Sequence, residues 1–288
     1  MTPRVTSLGR VSIVGAGHVG TMLGMALSAA PSDAGIEEVT LFDRDRVASQ
    51  ASLERGAGDR VVADVEEALE ADTVVFALPV PEIVKTIVAR ASLLRPDALL
   101  IDTGSAKRVV VETMRRHVPA NVHAVGGHPM AGGERPGPTG AQPRLLQSTA
   151  FVLTPVRDDS EALARGRVFA TAVGSYPLQI NAETHDRIVA RTSHLPHLAA
   201  FALASVGNPM LRDPTASSLV ATGYRSATRL TASDPDMVAG FLWANATEVR
   251  RALRELVDSL MEAEAVLGEG PEVVAKWLTD TSLREGVG

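Results

Sequence analysis

The clearest indication of the fold is the sequence Val11-Ser12-Ile13-Val14-Gly15-Ala16-Gly17-His18-Val19-Gly20. A short, mostly apolar strand leads directly into a G-x-G-x-x-G loop, and a helix-forming segment follows at residues 21–30. A second apolar strand, at residues 38–42, ends on Asp43. The order strand, glycine loop, helix, strand and acidic residue is typical of the first unit of a dinucleotide-binding domain.

Each part of this unit has a physical role toward a dinucleotide. The first two glycines let the backbone approach a pyrophosphate, the third lets helix and strand pack, and the helix N-terminus supplies N–H donors. A carboxylate at Asp43 accepts from both ribose hydroxyls and repels a 2′-phosphate, which favours NAD over NADP. Arg44 and Arg46 leave NADP open, although we interpret them as solvated charges. The cofactor contacts expected from this unit are Gly15, Gly17, His18, Val19, Gly20, Asp43 and Arg44.

Alternating strands and helices continue beyond this unit. Further strands are predicted at residues 71–78, 98–102, 122–125, 151–155 and 175–180. Continuous apolar strands joined through helices indicate an α/β Rossmann-type, doubly wound parallel sheet covered on both faces. Ligands bind such sheets at the carboxyl ends of strands, so we also expect Leu78, Pro79 and Thr103 to contact the cofactor.

The strand signals stop after Asn181. Residues 182–207 read as a long helix interrupted at Pro196, residues 235–267 as a long amphipathic helix, and residues 271–283 as a closing helix. We therefore predict a nucleotide-binding domain at residues 1–181 and an all-helical domain at residues 182–288. Two long amphipathic helices with few partners in one chain predict a homodimer through the helical domain.

The composition limits the classes of function. The 288 residues are 45% hydrophobic and 22% charged, as in soluble globular proteins. A net charge of −6 argues against a nucleic-acid or anionic membrane surface, but it allows a small anionic substrate bound by one or two arginines. No apolar run reaches membrane-spanning length. The absence of cysteine excludes disulfides, thiolate nucleophiles and Cys-ligated metals, and it fits a reducing cytoplasm.

A second stretch, Gly126-Gly127-His128-Pro129-Met130-Ala131-Gly132-Gly133-Glu134, places one imidazole between glycine pairs and beside a proline. We expect an irregular backbone that holds His128 at the lip of a cleft, where it exchanges a proton near neutral pH. Ser105 follows another strand end and is either a site residue or the N-cap of the next helix. Lys107 is interpreted as a solvated charge in the first turn of that helix.

Histidines and arginines also mark the helical half. His194 and His197 lie three residues apart, but a zinc site lacks a close glutamate and a clear third ligand, so we expect no metal. We interpret His197 as a pocket residue, and a core position is the simplest interpretation of His194. Arg225 and Arg229 lie four residues apart after Gly223; one of them would suit a substrate carboxylate, and a pair of surface charges is the alternative.

In combination these motifs resemble the prephenate/arogenate dehydrogenase family of tyrosine biosynthesis. The likeness covers nearly the whole chain, in order, and the His-Pro-Met and Ser-His-Leu-Pro-His motifs are specific to that family. The segments that carry it are Asp102-Thr-Gly-Ser105-x-Lys107, Gly127-His-Pro-Met-Ala-Gly132-x-Glu134, Ser193-His-Leu-Pro-His197, Thr228-Arg229 and Ser233-Asp-Pro235. The resemblance implies a Rossmann domain joined to an all-helical dimerisation domain, with the active site between them.

The resemblance further implies the NAD-dependent oxidative decarboxylation of a small anionic cyclohexadiene. Hydride leaves ring C4 for the nicotinamide while His128 takes the proton of the 4-hydroxyl group, and loss of CO₂ makes the ring aromatic. Ser105 would hold His128 and the 4-substituent together, Arg229 would bind a substrate carboxylate, and His197 would contact the side-chain end. His194, Arg225 and Gly223 complete the expected substrate-binding set.

Two departures from the family pattern leave the substrate open. Ser226 stands where the family usually has an acidic residue, and Val238 where it usually has tryptophan. Prephenate, arogenate and 4-amino-4-deoxyprephenate therefore all remain candidates. A β-hydroxyacid or imine reductase is disfavoured, because Lys276, near the C-terminus, is the only lysine of the helical half. A protein that senses NAD(H) without turnover is also disfavoured, because it has no use for a base opposite a cation.

Overall fold

The computed structural model describes residues 7–133 and 135–282 and contains one eight-stranded sheet. The strands are β1 (Gly9–Val14), β2 (Ile36–Phe42), β3 (Arg60–Val61), β4 (Thr73–Phe76), β5 (Leu99–Asp102), β6 (His123–Pro129), β7 (Ala150–Pro155) and β8 (Tyr176–Gln179). Their order in the sheet is β3-β2-β1-β4-β5-β6-β7-β8. This order places β1 between β2 and β4, as the dinucleotide motif predicts.

Six strands run parallel, and the last two run the other way. β7 pairs antiparallel with β6, and β8 pairs parallel with β7. The predicted Rossmann-type sheet is thus confirmed as mostly parallel, with a reversal at β7. The described residues between β6 and β7 form two 3₁₀ turns instead of a crossover helix, and a parallel pair would have required such a crossover.

Helices cover both faces of this sheet. They are α1 (His18–Ser28), α2 (Arg46–Glu54), α3 (Val65–Ala68), α4 (Val80–Arg90), α5 (Arg108–His117) and α6 (Ser160–Ala172). Neighbouring residues of β4 join different cores: Val75 packs in the cluster that includes α1 and α6, whereas Phe76 packs in the cluster that includes α4 and α5. Successive side chains of a strand point to opposite faces, so the apolar run of β4 reflects burial on both sides.

The remainder of the described chain is helical. Its helices are α7 (Ala182–Val189), α8 (Leu195–Gly207), α9 (Pro214–Ser218), α10 (Thr222–Ala227), α11 (Pro235–Ala244), α12 (Ala246–Val266) and α13 (Pro271–Thr281). The end of the predicted closing helix, at Leu283, lies outside the described residues. The two halves pack through α4 against α11 and α5 against α7. No helix in the described part of the chain is long and apolar enough to span a membrane.

Both long predicted helices contain an interruption. Between α7 and α8 the chain forms a π turn at Ala190–His194, just ahead of Pro196 rather than at it. Proline lacks an N–H and its ring crowds the carbonyl four residues earlier, and the wider turn accommodates both effects.

The prediction of one unbroken helix over residues 235–267 is wrong. It ends at Ala244 and restarts at Ala246, and Asn245 between them has φ −111° and ψ 25°. The buried Asn245 amide nitrogen lies 2.8 Å from the Asp186 carbonyl oxygen, to which it donates, and 3.2 Å from Nδ1 of His194. A polar contact with α7 therefore replaces helical continuity at this residue.

Candidate active site

The glycine loop follows β1 at the edge where the parallel strands end. Gly15 has φ +107°, and a Cβ there would lie 2.3 Å from the Ala77 carbonyl oxygen. A Cβ on Gly20 would lie 1.8 Å from the Gly15 carbonyl oxygen, whereas a Cβ on Gly17 would meet nothing within 4 Å. Two glycines are thus required by the packing of β1, β4 and α1. The third borders open space, as a backbone that approaches a pyrophosphate would.

The start of α1 provides the donors that such a phosphate needs. Gly17 is its N-cap and offers no side-chain acceptor, and the first turn contains no acidic residue. The N–H groups at a helix start lack intrahelical partners and favour an anion. His18 donates from Nδ1 to the Arg135 carbonyl at 2.9 Å, which ties the chain after β6 to this helix. Burial lowers the pKa of His18, and this hydrogen bond opposes the effect only in part.

The other predicted cofactor residues lie at the same edge. The Asp43 carboxylate, at the end of β2, accepts from the Ala16 amide at 2.8 Å and is therefore held against the glycine loop. Arg44, the next residue, is exposed. Leu78 and Pro79 follow β4, and Thr103 follows β5 with its amide donating to the Phe76 carbonyl at 3.1 Å. The residues present therefore fit a dinucleotide along the ends of β1, β2, β4 and β5.

His128 lies on β6 itself, so the predicted irregular loop is wrong. It pairs opposite Val152 of β7, and the strand continues to Pro129. The glycines before it serve close packing rather than an unusual conformation. A Cβ on Gly127 would lie 2.3 Å from the Asp102 carbonyl oxygen, and one on Gly126 would lie 3.0 Å from a methyl group of Val111. His128 therefore sits on a strand that approaches β5 and α5 closely.

The interpretation of Lys107 as a solvated charge is also wrong. Its side chain has no exposed surface, and its ammonium group binds the Asp102 carboxylate and the Gly127 carbonyl oxygen. The same carboxylate accepts from the amides of Gly104 at 2.7 Å and Gly127 at 3.0 Å. Burial lowers the pKa of Lys107, and the charge of Asp102 opposes that shift. This buried pair fixes the strand that carries His128.

Nδ1 of His128 lies 2.9 Å from Nε2 of His185, a residue of α7 in the helical half. Nδ1 of His185 in turn lies 2.7 Å from Oδ1 of Asp186. Desolvation holds the pKa of His128 well below its usual value, and the electrostatic effects of the neighbouring His185 and Lys107 lower it further. The imidazole of His128 is therefore neutral at pH 7, as a proton acceptor must be.

Asp186 caps α5 across the junction between the two halves. Its carboxylate accepts from the backbone amides of Lys107 at 2.7 Å and Arg108 at 2.9 Å. Burial alone would raise the pKa of Asp186, but the hydrogen bonds from His185 and from these two amides lower it on balance. The cap that the sequence allowed for Ser105 thus comes from another part of the chain.

Among the described residues Ser105 forms no direct hydrogen bond with His128, whose Nδ1 faces His185. Ser105 is half-buried just after β5. Its hydroxyl has no hydrogen-bond partner among the side chains and backbone that the structure describes, so it stays available to a bound molecule.

His194 and His197 border the site from the helical half. His194 is fully buried and stacks on Phe241, with ring centroids 4.6 Å apart. Burial lowers the pKa of His194 to about 4. His197 is partly exposed, donates from Nδ1 to the Ser193 carbonyl at 2.9 Å and meets the edge of Phe241 at 5.3 Å. Within residues 7–133 and 135–282, no three His, Asp or Glu side chains are arranged to hold a metal ion.

The arginine segment packs against α8, the helix that carries His197. Arg229 begins a 3₁₀ turn, Arg229–Ala232, that contacts α8, and its side chain is exposed. Gly223 and Arg225 are exposed on α10, where Arg225 donates to the Val220 carbonyl at 3.5 Å. Glu134 lies outside the described residues. The structure therefore places Arg229 next to the helix of His197 and keeps Arg225 on the surface.

Four residues of this network escaped the sequence prediction of the site: Lys107, His185, Asp186 and Asn245. The dipeptide His185-Asp186 is visible in the sequence, but its partners lie 57 and 79 residues away. No local spacing pattern marks such contacts. A histidine next to an aspartate shortly before a second histidine pair was the one available signal.

Comparison with known protein families agrees with this geometry. Residues 32–175 match the family model for the nucleotide-binding domain of prephenate dehydrogenase, and residues 181–278 match the model for its dimerization domain. The chain belongs to the prephenate dehydrogenase family. The family therefore spans both the sheet that carries His128 and the helices that carry His185 and His197.

Individual relatives cover most of the chain. It is 28% identical to the cyclohexadienyl dehydrogenase of Zymomonas mobilis over 91% of its own length and 90% of that protein. It is also 28% identical to the prephenate dehydrogenase of Lactococcus lactis, over 82% of its own length and 65% of that protein.

Solved structures of the family share this fold. The prephenate dehydrogenase of Aquifex aeolicus, in complex with hydroxyphenyl propionate and NAD+, has a TM-score of 0.82 at 25% identity and covers 94% of this chain and 95% of its own. The arogenate dehydrogenase of Synechocystis has a TM-score of 0.75 at 24% identity and covers 94% of this chain and 97% of its own.

Proposed function

We propose that this chain is an NAD-dependent dehydrogenase that oxidatively decarboxylates prephenate to 4-hydroxyphenylpyruvate, or arogenate to tyrosine. The observation that carries the proposal is His128, a neutral imidazole on β6, at the sheet edge that also bears the glycine loop. Family membership and the relatives named as prephenate and cyclohexadienyl dehydrogenases support it.

NAD, when bound, supplies the hydride acceptor for this reaction. The first-turn amides of α1, at His18 and Val19, would bind its pyrophosphate, and Gly15, Gly17 and Gly20 allow the close approach. Asp43 would accept from the ribose hydroxyls. Arg44, Leu78, Pro79 and Thr103 complete the proposed contacts along the strand ends.

The proposed chemistry needs one proton acceptor and one cation from the protein. His128 accepts the 4-hydroxyl proton while the hydrogen on C4 leaves as hydride, and loss of the ring carboxylate as CO₂ makes the ring aromatic. The proton then returns to the phenolate oxygen, so the reaction consumes and releases no net proton. Arg229 binds a substrate carboxylate through its guanidinium, and Ser105 offers its free hydroxyl to the 4-substituent.

The substrate side of the site has further proposed contacts. His197 and His194 both contact Phe241, and Arg225 and Gly223 are exposed on α10. Ser226 and Val238 differ from the usual family residues, so 4-amino-4-deoxyprephenate stays an alternative substrate. In that case His128 would accept a proton from the amino group instead.

The growth of NADH absorbance tests the function directly. Prephenate, arogenate and 4-amino-4-deoxyprephenate are incubated in parallel with NAD and the full-length protein. We expect one of them to be turned over, and the His128→Asn variant to bind NAD normally while losing at least about 10²-fold in kcat. Binding of NAD without turnover of any of the three compounds would instead support a sensor or a different reductase.

The proposal extends to assembly and location. The dimerization-domain match and the exposed apolar residues Leu260, Met261, Leu267 and Leu278 support a homodimer through the helical half. We place the division between the domains at residues 1–181 and 182–288. We also propose a cytoplasmic location, because the chain has no cysteine.

A further inference from the structure

We infer that His185 and Asp186 are positioning residues for the reaction proposed above. Together they keep the single proton of neutral His128 on Nδ1, which leaves the lone pair of Nε2 to receive the proton of the substrate. The inference rests on the proposed function for its meaning in catalysis. With His185 neutral, the proton positions themselves follow from the hydrogen-bond network.

The hydrogen-bond network begins at the backbone of α5. The amides of Lys107 and Arg108 can only donate, and they point at Oδ1 and Oδ2 of Asp186, at 2.7 and 2.9 Å. Both oxygens of Asp186 therefore act as acceptors, as in an ionised carboxylate. Oδ1 also lies 2.7 Å from Nδ1 of His185. That nitrogen must carry the proton, because an acceptor facing an acceptor would leave both groups unsatisfied.

The protons on the facing nitrogens of His185 and His128 are assigned in the same way. A neutral imidazole has one N–H, so a His185 that donates from Nδ1 has a lone pair at Nε2. Nε2 of His185 lies 2.9 Å from Nδ1 of His128, and this contact is a hydrogen bond only if His128 donates. The Nδ1 tautomer of His128 follows, with Nε2 free to act as the base.

Burial makes this arrangement hard to exchange with water. His185 and Asp186 are each 2% exposed. The Asn245 amide donates to the Asp186 carbonyl at 2.8 Å and so fixes the backbone of this pair. Neither His185 nor Asp186 can rotate away without leaving a buried polar group unpaired.

His185 and Asp186 also stabilise the positive charge that His128 acquires during the reaction. The Lys107 ammonium disfavours a positive charge on His128, although the Asp102 carboxylate offsets part of its field. His194 also lies close to His128 and stays neutral at pH 7. When Nε2 of His128 accepts the substrate proton, its Nδ1–H still donates to His185. That ring links the new charge to the Asp186 carboxylate, which stabilises the cation until the proton returns to the product.

Imidazole nitrogen NMR on ¹⁵N-histidine-labelled full-length protein at pH 8 tests the tautomer directly. We expect Nε2 of His128 to show the chemical shift of an unprotonated nitrogen and Nδ1 that of a protonated one. His128→Asn identifies the signals. The opposite pattern would overturn the inference whether or not the enzyme turns over any substrate. The expected pattern in a protein without turnover would leave the inference standing and count against the proposed function.

Three variants test the effect on catalysis. His185→Phe removes the acceptor, and we expect kcat to fall by about 10²-fold with KM and the Kd of NAD nearly unchanged. His185→Gln keeps an amide oxygen that accepts from His128 and an amide N–H that donates to Asp186, so it should restore part of that loss. Asp186→Asn should lower kcat and move His128 toward a mixture of tautomers. Unchanged kcat in His185→Phe would contradict the inference.

The chain offers a matched control for the structural part of the Asp186 change. Asp159 also caps a helix, accepting from the Ala162 amide at 3.0 Å, and its carboxylate also lies 2.8 Å from Nδ1 of a histidine, His123. Asp159→Asn removes a cap and a histidine partner away from His128. We expect a lower Tm in both aspartate variants but a loss of kcat only in Asp186→Asn. An equal loss of kcat in both would show a general effect of lost stability and overturn the positioning role.

Discussion

Among single residues, His194 makes the stability of the fold depend on pH. Its ring is fully buried between Phe241 and Asn245, and burial lowers its pKa to about 4. In the unfolded chain the same group titrates near its ordinary value of about 6.5. As the pH falls from 6.5 toward 4, His194 binds a proton in the unfolded state but not in the folded state. The folded state therefore loses stability.

We predict that replacing His194 with Phe weakens the pH dependence of stability. Phenylalanine keeps the stacking on Phe241 but does not titrate. Between pH 7 and pH 4 the unfolding free energy of the original protein should fall by about 3 kcal/mol more than that of the variant. Urea unfolding at several pH values measures both. Parallel curves for the two proteins would mean that His194 titrates at the same pH in the folded and unfolded states.

The sequence could reveal some of the site residues and not others. His128 and the glycine loop stand in local motifs, and the ends of parallel strands meet at one edge, so their proximity follows from the fold class. The burial of Lys107 does not, because a lysine near a helix start is ordinarily solvated. It depends on Asp102 and on the Gly127 carbonyl oxygen turning toward the same point.

At the scale of elements, the packing of β6 against β5 depends on Gly127. A Cβ there would lie 2.3 Å from the Asp102 carbonyl oxygen, which is backbone and cannot rotate aside. We predict that Gly127→Ala destabilises the fold by about 1–3 kcal/mol and lowers kcat, since His128 follows on the same strand. Gly268→Ala is the control, because that Cβ would meet nothing within 4 Å. Urea unfolding and steady-state kinetics of both variants measure the difference, and similar behaviour would contradict the packing argument.

Elements were predictable where one local pattern determines them. Apolar runs of four to six residues marked the buried strands, but a run buried on both faces carries no sign of its direction, so the reversal at β7 was invisible. The helical spacing of apolar residues also continues without a break across Asn245. The break there arises from the contact of its amide with Asp186, 59 residues away, which no periodicity records.

In the whole molecule, the second half of α12 keeps an exposed apolar surface, although α13 contacts this helix. Leu260 is 58% exposed and Met261 is 62% exposed, whereas the buried residues of this helix, Val249 and Ala252, belong to its first half. A second copy of the chain would cover this surface, as the proposed homodimer requires.

We predict that the double variant Leu260→Glu/Met261→Glu is monomeric, because a dimer would have to bury two unpaired carboxylates per chain. Sedimentation velocity at micromolar concentration measures the change. Val47→Glu, on the exposed face of α2 where Val47 is 77% exposed, is the control and should leave the assembly unchanged. A double variant that sediments as the original protein does would place the interface elsewhere.

The position of the Asp186 carboxylate limits how the two halves of the protein can be separated or exchanged. Because the first turn of α5 receives its acceptor from α7, the sheet-containing half produced alone would begin that helix with bare amides. In the half that contains the helices, the Asp186 carboxylate would in turn lose these two amide donors and keep only His185 as a side-chain partner. The two halves are therefore not interchangeable modules, and a chimera that joins this sheet to the helices of a distant relative must supply an aspartate at the same point. Amide hydrogen exchange at Lys107 and Arg108 would show whether the chimera restores the hydrogen bonds that cap α5.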